Sequence, residues 1–182
     1  EGSQAANNIT INSGGSMRTS HSVWAKNSIK LKANNIQTEV GAIFISQNLE
    51  ANTWNSINLN SQVESIKLES KNIGNIIVNE TDNLVLTSVI SANGSITVTS
   101  KGDMTATYIR SQTDENVTNP STGNDIILKS IKGNVFVNDI ETGSNVGAEK
   151  LYGKVRIYAW GNISEHIEDN AKIDISSHKI EF

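Results

Sequence analysis

The sequence predicts an all-β protein, a single-stranded parallel β-helix with coils of roughly 19–20 residues. Three observations predict this fold: a composition suited to strands and tight turns, a short aliphatic motif that recurs along the chain, and a regular interval between copies of that motif. A β-sandwich is the alternative, because its short strands also recur, at about 8–12 residues.

The composition favours strands and turns over helices. Ile, Val, Thr, Ser and Asn dominate, whereas aromatic residues make up 5% of the chain and Pro120 is the one proline. β-Branched residues favour strands, and Asn, Ser and Gly favour tight turns. Cysteine is absent, which excludes a disulfide framework, a thiolate metal site and a cysteine nucleophile.

A four-residue motif defines the predicted strands. Each copy is a turn residue or other polar residue, an aliphatic residue, any residue and a second aliphatic residue. Alternation with a period of two directs the aliphatic side chains to a core and the others to solvent. The copies begin at Asn8, Ser28, Ser56, Ser65, Asn75, Asn83, Ser95, Asp125, Asn134, Lys154 and Lys172.

The intervals between copies predict that the chain returns to the same place about every 19 residues. Ile57, Ile76 and Ile96 follow one another at 19 and 20 residues, and Ile66 and Leu84 are 18 apart. Two further intervals of 20 residues join Ile9 to Ile29 and Val135 to Val155. Coils of this length stack at about 4.8 Å and share one core.

Asn and Gly residues mark the predicted corners, where we expect left-handed backbone at low cost and Asn side chains that bond along the axis. The corner residues are Asn72, Gly74, Asn75, Asn83, Asn93, Gly94, Gly102 and Gly133. Residues 1–182 are interpreted as one β-helix domain. Residues 111–123 and 139–153 lack the alternation and are predicted to be loops inserted into coils.

Two segments resemble repeats of filamentous haemagglutinin-type bacterial exoproteins. They are Gly94–Asp103 (GSITVTSKGD) and Gly133–Ile140 (GNVFVNDI). The chain resembles these adhesins in the sequence pattern of its repeats, most clearly over residues 55–140. The resemblance implies a right-handed β-helix, secretion or display at the cell surface, a stiff rod, and binding to cells or to other copies.

Charge and motif searches argue against several functions. The net charge is −4, whereas nucleic-acid binding needs clustered Lys and Arg, so no nucleic-acid partner is expected. No apolar run approaches the roughly 18 residues that span a bilayer. His21, His166 and His178 are far apart in sequence, and zinc requires converging ligands at recognisable spacing. We therefore expect no metal and no cofactor.

Polysaccharide cleavage by clustered carboxylates is the enzymatic alternative, because some β-helices use such groups. The acidic residues form no obvious outward column. Asp103 and Asp125 each stand directly before a strand, where a carboxylate typically accepts hydrogen bonds from turn amides. We expect the protein not to be an enzyme.

A cluster of outward-facing side chains is predicted in the segment that runs from Lys154 to Trp160. Parity places Val155, Ile157 and Ala159 inward, so the candidate binding residues Arg156, Tyr158 and Trp160 share the outer face. Aromatic rings beside Arg stack on sugars or anchor protein contacts. Alternatively, residues 163–182 fold over this face as a cap.

Asp114, Glu115 and Asn116 of the predicted 111–123 loop are further candidate binding residues. The expected function is an extracellular structural or adhesive module that binds a host-cell or matrix glycan or protein. One alternative is a subunit that assembles with copies of itself into a filament, because open β-helix ends pair readily. A weaker alternative is a polysaccharide-cleaving enzyme.

Overall fold

The computed structural model describes residues 6–112, 124–146, 149–151, 153–165, 175–177 and 179–181, and within them the regular structure is entirely β. The strands are β1 Ala6–Asn12, β2 Met17–Thr19, β3 Val23–Ala33, β4 Ile36–Thr38, β5 Phe44–Thr53, β6 Ile57–Ile73, β7 Ile76–Glu80, β8 Leu84–Asn93, β9 Ile96–Ser100, β10 Met104–Ser111, β11 Ile126–Ser130, β12 Val135–Thr142, β13 Ser144–Val146, β14 Glu149–Leu151, β15 Lys154–Ala159, β16 Ile163–Glu165, β17 Ile175–Ser176 and β18 Lys179–Glu181.

The strands stack in two parallel ladders, which we call ladder 1 and ladder 2. Ladder 1 contains β1, β3, β5, the second part of β6, β8, β10, β12, and then β16 and β17. Ladder 2 contains β2, β4, the first part of β6, β7, β9, β11, β15 and β18. This parallel β-solenoid confirms the predicted fold class, and a β-sandwich is excluded because its sheets are antiparallel.

Strand register confirms the predicted period. Ile57 pairs with Ile76, and Ile76 pairs with Ile96, in one column of ladder 2. The predicted interval from Ile66 to Leu84 is wrong by two residues, because Ile66 pairs with Leu86. Leu84 itself pairs with Met104, 20 residues further along the chain.

The predicted interval between Val135 and Val155 is also wrong. Val135 pairs with Ile163 in ladder 1, whereas Val155 pairs with Ile126 in ladder 2. Insertions lengthen the coils in this region, since the paired residues Ile96 and Ile126 lie 30 positions apart. A fixed period of 20 therefore joins residues of different ladders here.

The core is a set of aliphatic columns that run along the solenoid axis. Each fully buried side chain of this kind stabilises the fold by about 1.5–3 kcal/mol relative to exposure. One column in ladder 2 consists of the buried residues Ile36, Ile57, Ile76, Ile96, Ile126 and Val155.

Buried hydroxyl groups line one corner of the core. They form a column in ladder 1 consisting of Thr53, Ser70, Ser91, Ser111 and Thr142. Each donates a hydrogen bond to a turn carbonyl, as Ser91 does to Gly74 O at 3.0 Å and Ser111 to Gly94 O at 2.9 Å. These bonds satisfy polar groups at the point where the chain leaves the ladder.

The corner glycines are required for a different reason from the one predicted. Among the described glycines, positive φ occurs at Gly41 and Gly143, neither of which belongs to the predicted set. At the predicted corners the coils approach too closely for a side chain. A Cβ on Gly94 would lie 2.1 Å from Gly74 O, and a Cβ on Gly102 would lie 2.0 Å from Asn83 Oδ1.

Side-chain bonds along the axis, predicted for the corner asparagines, are present. Asn83 Oδ1 accepts from Asp103 N at 2.8 Å, Asp103 Oδ1 from Asn134 N at 2.7 Å, and Asn134 Oδ1 from Asn162 N at 2.8 Å. These bonds fix the starts of β10, β12 and β16.

The two irregular segments differ in how much of them the structure describes. In residues 139–153, β12 continues to Thr142, the antiparallel hairpin β13–β14 follows, and β15 begins at Lys154. In residues 111–123, Ser111 belongs to β10, and residues 113–123 lie outside the described part of the chain.

Candidate binding groove on ladder 2

The structure places the predicted patch on the outer face of ladder 2. Val155 and Ile157 are buried, so the alternate side chains of β15 point outward. Tyr158 is 43% exposed, and Trp160, directly after the strand, is 82% exposed. Among these described residues, the two aromatics therefore present apolar surface to solvent.

Arg156 is less available than its neighbours. Its Nε lies 2.7 Å from Glu181 Oε2, and its Nη1 lies 2.9 Å from Asp125 Oδ2. The hydrogen bond that Arg156 donates to Glu181, and then the one that it donates to Asp125, raise the pKa of Arg156 above its ordinary value. Because two carboxylates already bind the guanidinium, we assign Arg156 a structural role.

The C-terminal strand covers the patch in part. β18 pairs with β15 and places Glu181 beside Arg156, while Tyr158 and Trp160 stay exposed. The predicted cap therefore contacts one end of the patch in the described part of the chain.

Register extends the patch into a polar column that the sequence reasoning did not single out. Tyr158 pairs with Lys129, Lys129 with Thr99, and Thr99 with Asn79, which pairs with Asn60. The intervals of 19 and 20 between Asn60, Asn79 and Thr99 signal this column in the sequence. The inserted segment after β10 breaks that interval before Lys129.

A second column runs beside the first, where the chain leaves ladder 2. Trp160 N donates to Ser130 O at 3.2 Å, Ile131 N to Ser100 O at 2.9 Å, and Thr81 N to Ser61 O at 3.1 Å. These bonds stack the residues that follow each strand. The second column consists of Thr81, Lys101, Ile131 and Trp160.

A shallow cavity of about 380 Å³ lies between the two columns and contacts residues of both. Gly41, Ala42 and Ile43 close one end of it, and Ile131 lines the other. We call the two columns and this cavity the axial groove. The columns run across the strands, and Tyr158 and Trp160 follow Lys129 and Ile131 in them, on the next coil beyond the lining of the cavity.

The amides on the groove wall are held in fixed orientations. Asn60 Nδ2 donates to Ala42 O at 3.2 Å and to Glu39 O at 3.3 Å. Asn79 Nδ2 donates to Asn60 Oδ1 at 3.2 Å. Each amide is therefore oriented by the preceding coil before any ligand arrives.

The exposed charge of the groove is positive in the described residues. Lys101 and Lys129 are both exposed, one in each column. Glu80 also lines the cavity but is 3% exposed, and its carboxylate accepts a bond from Ser61 inside the core. The groove therefore presents cations, aromatic rings, amides and a hydroxyl to a ligand.

Asp103 and Asp125, the two acidic residues weighed individually as catalytic candidates, have structural roles. Asp103 accepts from Asn134 N, and Asp125 accepts from Lys154 N at 2.9 Å, as predicted for turn carboxylates. A second cavity, of about 530 Å³, is lined by Glu64, Asp82 and Asp103. Within the described residues, no three His, Cys, Asp or Glu side chains are grouped to hold a metal ion.

The other candidate residues, Asp114, Glu115 and Asn116, lie outside the described residues. In the described part of the chain, no helix is long and apolar enough to cross a membrane.

Comparison with known proteins does not assign this chain to a family. No family model, curated protein or solved structure matches this chain. The parallel β-solenoid agrees with the architecture that the resemblance to filamentous haemagglutinin-type exoproteins implies, and these comparisons do not confirm that family.

Proposed function

We propose that this protein is an extracellular structural and adhesive module of a bacterial surface or secreted protein, and that it binds its ligand along the axial groove. The observation that carries the proposal is the exposure of Tyr158 and Trp160 at one end of a column of polar residues. Exposed aromatic rings on a rigid support are typical anchors of binding surfaces.

The rigidity of the support favours binding over catalysis. Each residue of the two columns stands on a strand, or directly after one, that is hydrogen-bonded into a parallel ladder over a buried core. Such a surface is organised before binding, which lowers the entropic cost of association. Asp103 and Asp125 are engaged in the turns, which favours a structural role for these two carboxylates, and we propose no catalytic activity.

Adhesion assays with matched tryptophan variants test this proposal. The purified chain is titrated onto immobilised extracellular matrix and onto host cells. We expect Tyr158→Ala/Trp160→Ala to weaken binding at least tenfold, because both anchors are removed. Trp24→Ala is the control, since Trp24 is 58% exposed but lies on ladder 1. Equal binding by the parent and the double variant would contradict the proposal.

The proposed surface location rests on the resemblance of the repeats and needs its own measurement. We expect protease added to intact bacteria that express the protein to remove it, while a cytoplasmic marker stays whole. Protection of the protein under these conditions would contradict a surface location.

Self-assembly is the second candidate, and the strand edges favour it. Among the described strands, β1 pairs with β3 alone and β18 pairs with β15 alone. The outward column of ladder 2 begins with Arg18 and ends with Glu181, so two stacked copies would bring opposite charges together. Electron microscopy over a range of concentrations should then show filaments that Arg18→Glu abolishes. Short separate rods at every concentration would exclude assembly.

A further inference from the structure

The direction and spacing of the axial groove indicate the class of its ligand. We propose that the groove binds a linear polysaccharide, carrying carboxylates, whose chain lies parallel to the solenoid axis with about one sugar unit on each coil. This inference rests on the proposed function, since it identifies the ligand of the same groove.

The spacing of the polar column fits a repeating polymer. Asn60, Asn79, Thr99, Lys129 and Tyr158 are successive register partners in ladder 2. Parallel strands lie about 4.8 Å apart, so the column presents one functional group at each step of that length. A pyranose unit in an extended chain has a comparable length, and a linear glycan can therefore repeat the same contact on each coil.

The chemistry of the column also fits a glycan. Sugar hydroxyls both donate and accept hydrogen bonds, as do the side chains of Asn79 and Thr99. The C–H faces of a sugar ring pack on aromatic rings, which Tyr158 and Trp160 present at the end of the groove. One continuous surface thus offers an apolar platform and a row of polar partners.

A peptide fits the groove less well. An extended peptide binds a β-sheet by pairing with the backbone of an edge strand, whereas the groove crosses strands whose backbone groups are already paired within ladder 2.

Charge specifies the kind of sugar. Lys101 and Lys129 are exposed on adjacent coils of the groove, and the Glu80 carboxylate beside it is buried. Cations favour an anionic ligand, and their contribution to binding falls as salt increases. Uronic acid units supply a carboxylate on every ring and therefore match this surface.

The test is a calorimetric titration of the full chain with uronic acid oligomers of two to six units. We expect affinity to rise severalfold with each added unit until the chain spans the column at about five coils, and then to level off. Neutral oligomers of the same lengths should bind more weakly, with a smaller dependence on salt. Affinity that does not depend on length would overturn the inference.

Matched variants locate the chain on the groove. Asn79 and Asn72 are both exposed, and each donates one bond to an amide of the preceding coil, at 3.2 and 3.4 Å. Asn79→Ala should lower the affinity for long oligomers several times more than for dimers, whereas Asn72→Ala, outside the groove, should leave both unchanged. Equal effects of the two variants would overturn the proposed path.

The outcomes for the two proposals are distinguishable. If Tyr158→Ala/Trp160→Ala abolishes matrix binding but no uronic acid oligomer binds, the polysaccharide inference fails while the adhesive function stands. If oligomers bind with the expected length dependence but matrix binding does not involve the groove, the adhesive function fails instead. Circular dichroism of each variant confirms that the fold is intact before either result is interpreted.

Discussion

The Glu80 carboxylate accepts a 2.7 Å hydrogen bond from the Ser61 hydroxyl inside the solenoid. Its oxygens also accept from Val63 N at 3.2 Å and Thr81 N at 2.8 Å. Burial raises the pKa of Glu80 to about 7, although the bonds from Ser61 and Thr81 act in the opposite direction and the neighbouring Asp82 adds to the rise. Glu80 therefore connects two adjacent coils, and burial of its carboxyl group favours the protonated form.

The stability of the fold should fall as Glu80 ionises. Because its pKa is raised from 4.5 to about 7, the contribution of the protonated form is fully present below about pH 4.5 and is lost as the pH rises through 7. The shift corresponds to roughly 3 kcal/mol. Glu80→Gln removes this titration. The stability of this variant relative to the parent, measured by urea unfolding, should therefore increase as the pH rises from about 4.5 through 7.

Glu64→Gln is the control for this experiment, because Glu64 is exposed and lies on the adjacent strand β6. We expect its stability relative to the parent to change little with pH. A Glu80→Gln difference that stays constant from pH 4 to 8 would contradict the assigned role of Glu80.

Close approach of the corners predicts a large effect for one glycine substitution and almost none for another. Gly94→Ala would place a Cβ 2.1 Å from Gly74 O, a backbone atom that cannot move aside, and should destabilise the fold by about 1–3 kcal/mol. Gly14→Ala meets nothing within 4 Å and should change stability by less than about 0.5 kcal/mol. Thermal unfolding of both variants measures the difference, and similar midpoints would show that the corners are not tightly packed.

Asp103 should be replaceable by Asn but not by Ala. Its Oδ1 accepts from both Asn134 N and Asn134 Nδ2, at 2.7 and 3.1 Å, and Asn83 makes the equivalent backbone contact one coil earlier. Asp103→Asn preserves the acceptor and should stay within about 0.5 kcal/mol of the parent. Asp103→Ala leaves the amide of Asn134 without this partner and should cost about 1–3 kcal/mol in urea unfolding. Equal stability of the two variants would rule out the side-chain hydrogen bonds between Asp103 and Asn134 as a source of stability.

Arg156 should hold the last strand in place. Its bonds to Asp125 and Glu181 join β15 to both neighbours, so Arg156→Ala should speed hydrogen exchange in β18 severalfold, measured by mass spectrometry. Lys129→Ala controls for the loss of one exposed positive charge on β11 and should leave exchange in β18 unchanged. Unaltered exchange in Arg156→Ala would show that main-chain pairing alone retains β18.

The spacing of aliphatic residues was sufficient to predict the solenoid, because each coil must repeat the same inward positions to share a core. The columns of Ile57, Ile76 and Ile96 follow directly from that requirement. The same interval failed at Val135 and Val155, since inserted segments change the length of a coil without changing which strands pair. Parity along β15 likewise predicted the outward Tyr158, because alternation is a local property of a strand.

The sequence by itself determined the all-β class, the approximate coil length, the corner positions and the identity of the aromatic patch. Only the tertiary structure decided that Arg156 is bound between Asp125 and Glu181. It also decided that Tyr158 pairs with Lys129 rather than with a residue 20 positions away. The physical reason is that alternation and coil length act through neighbours in sequence. A binding surface is instead made of residues from different coils, and its composition depends on register that insertions alter.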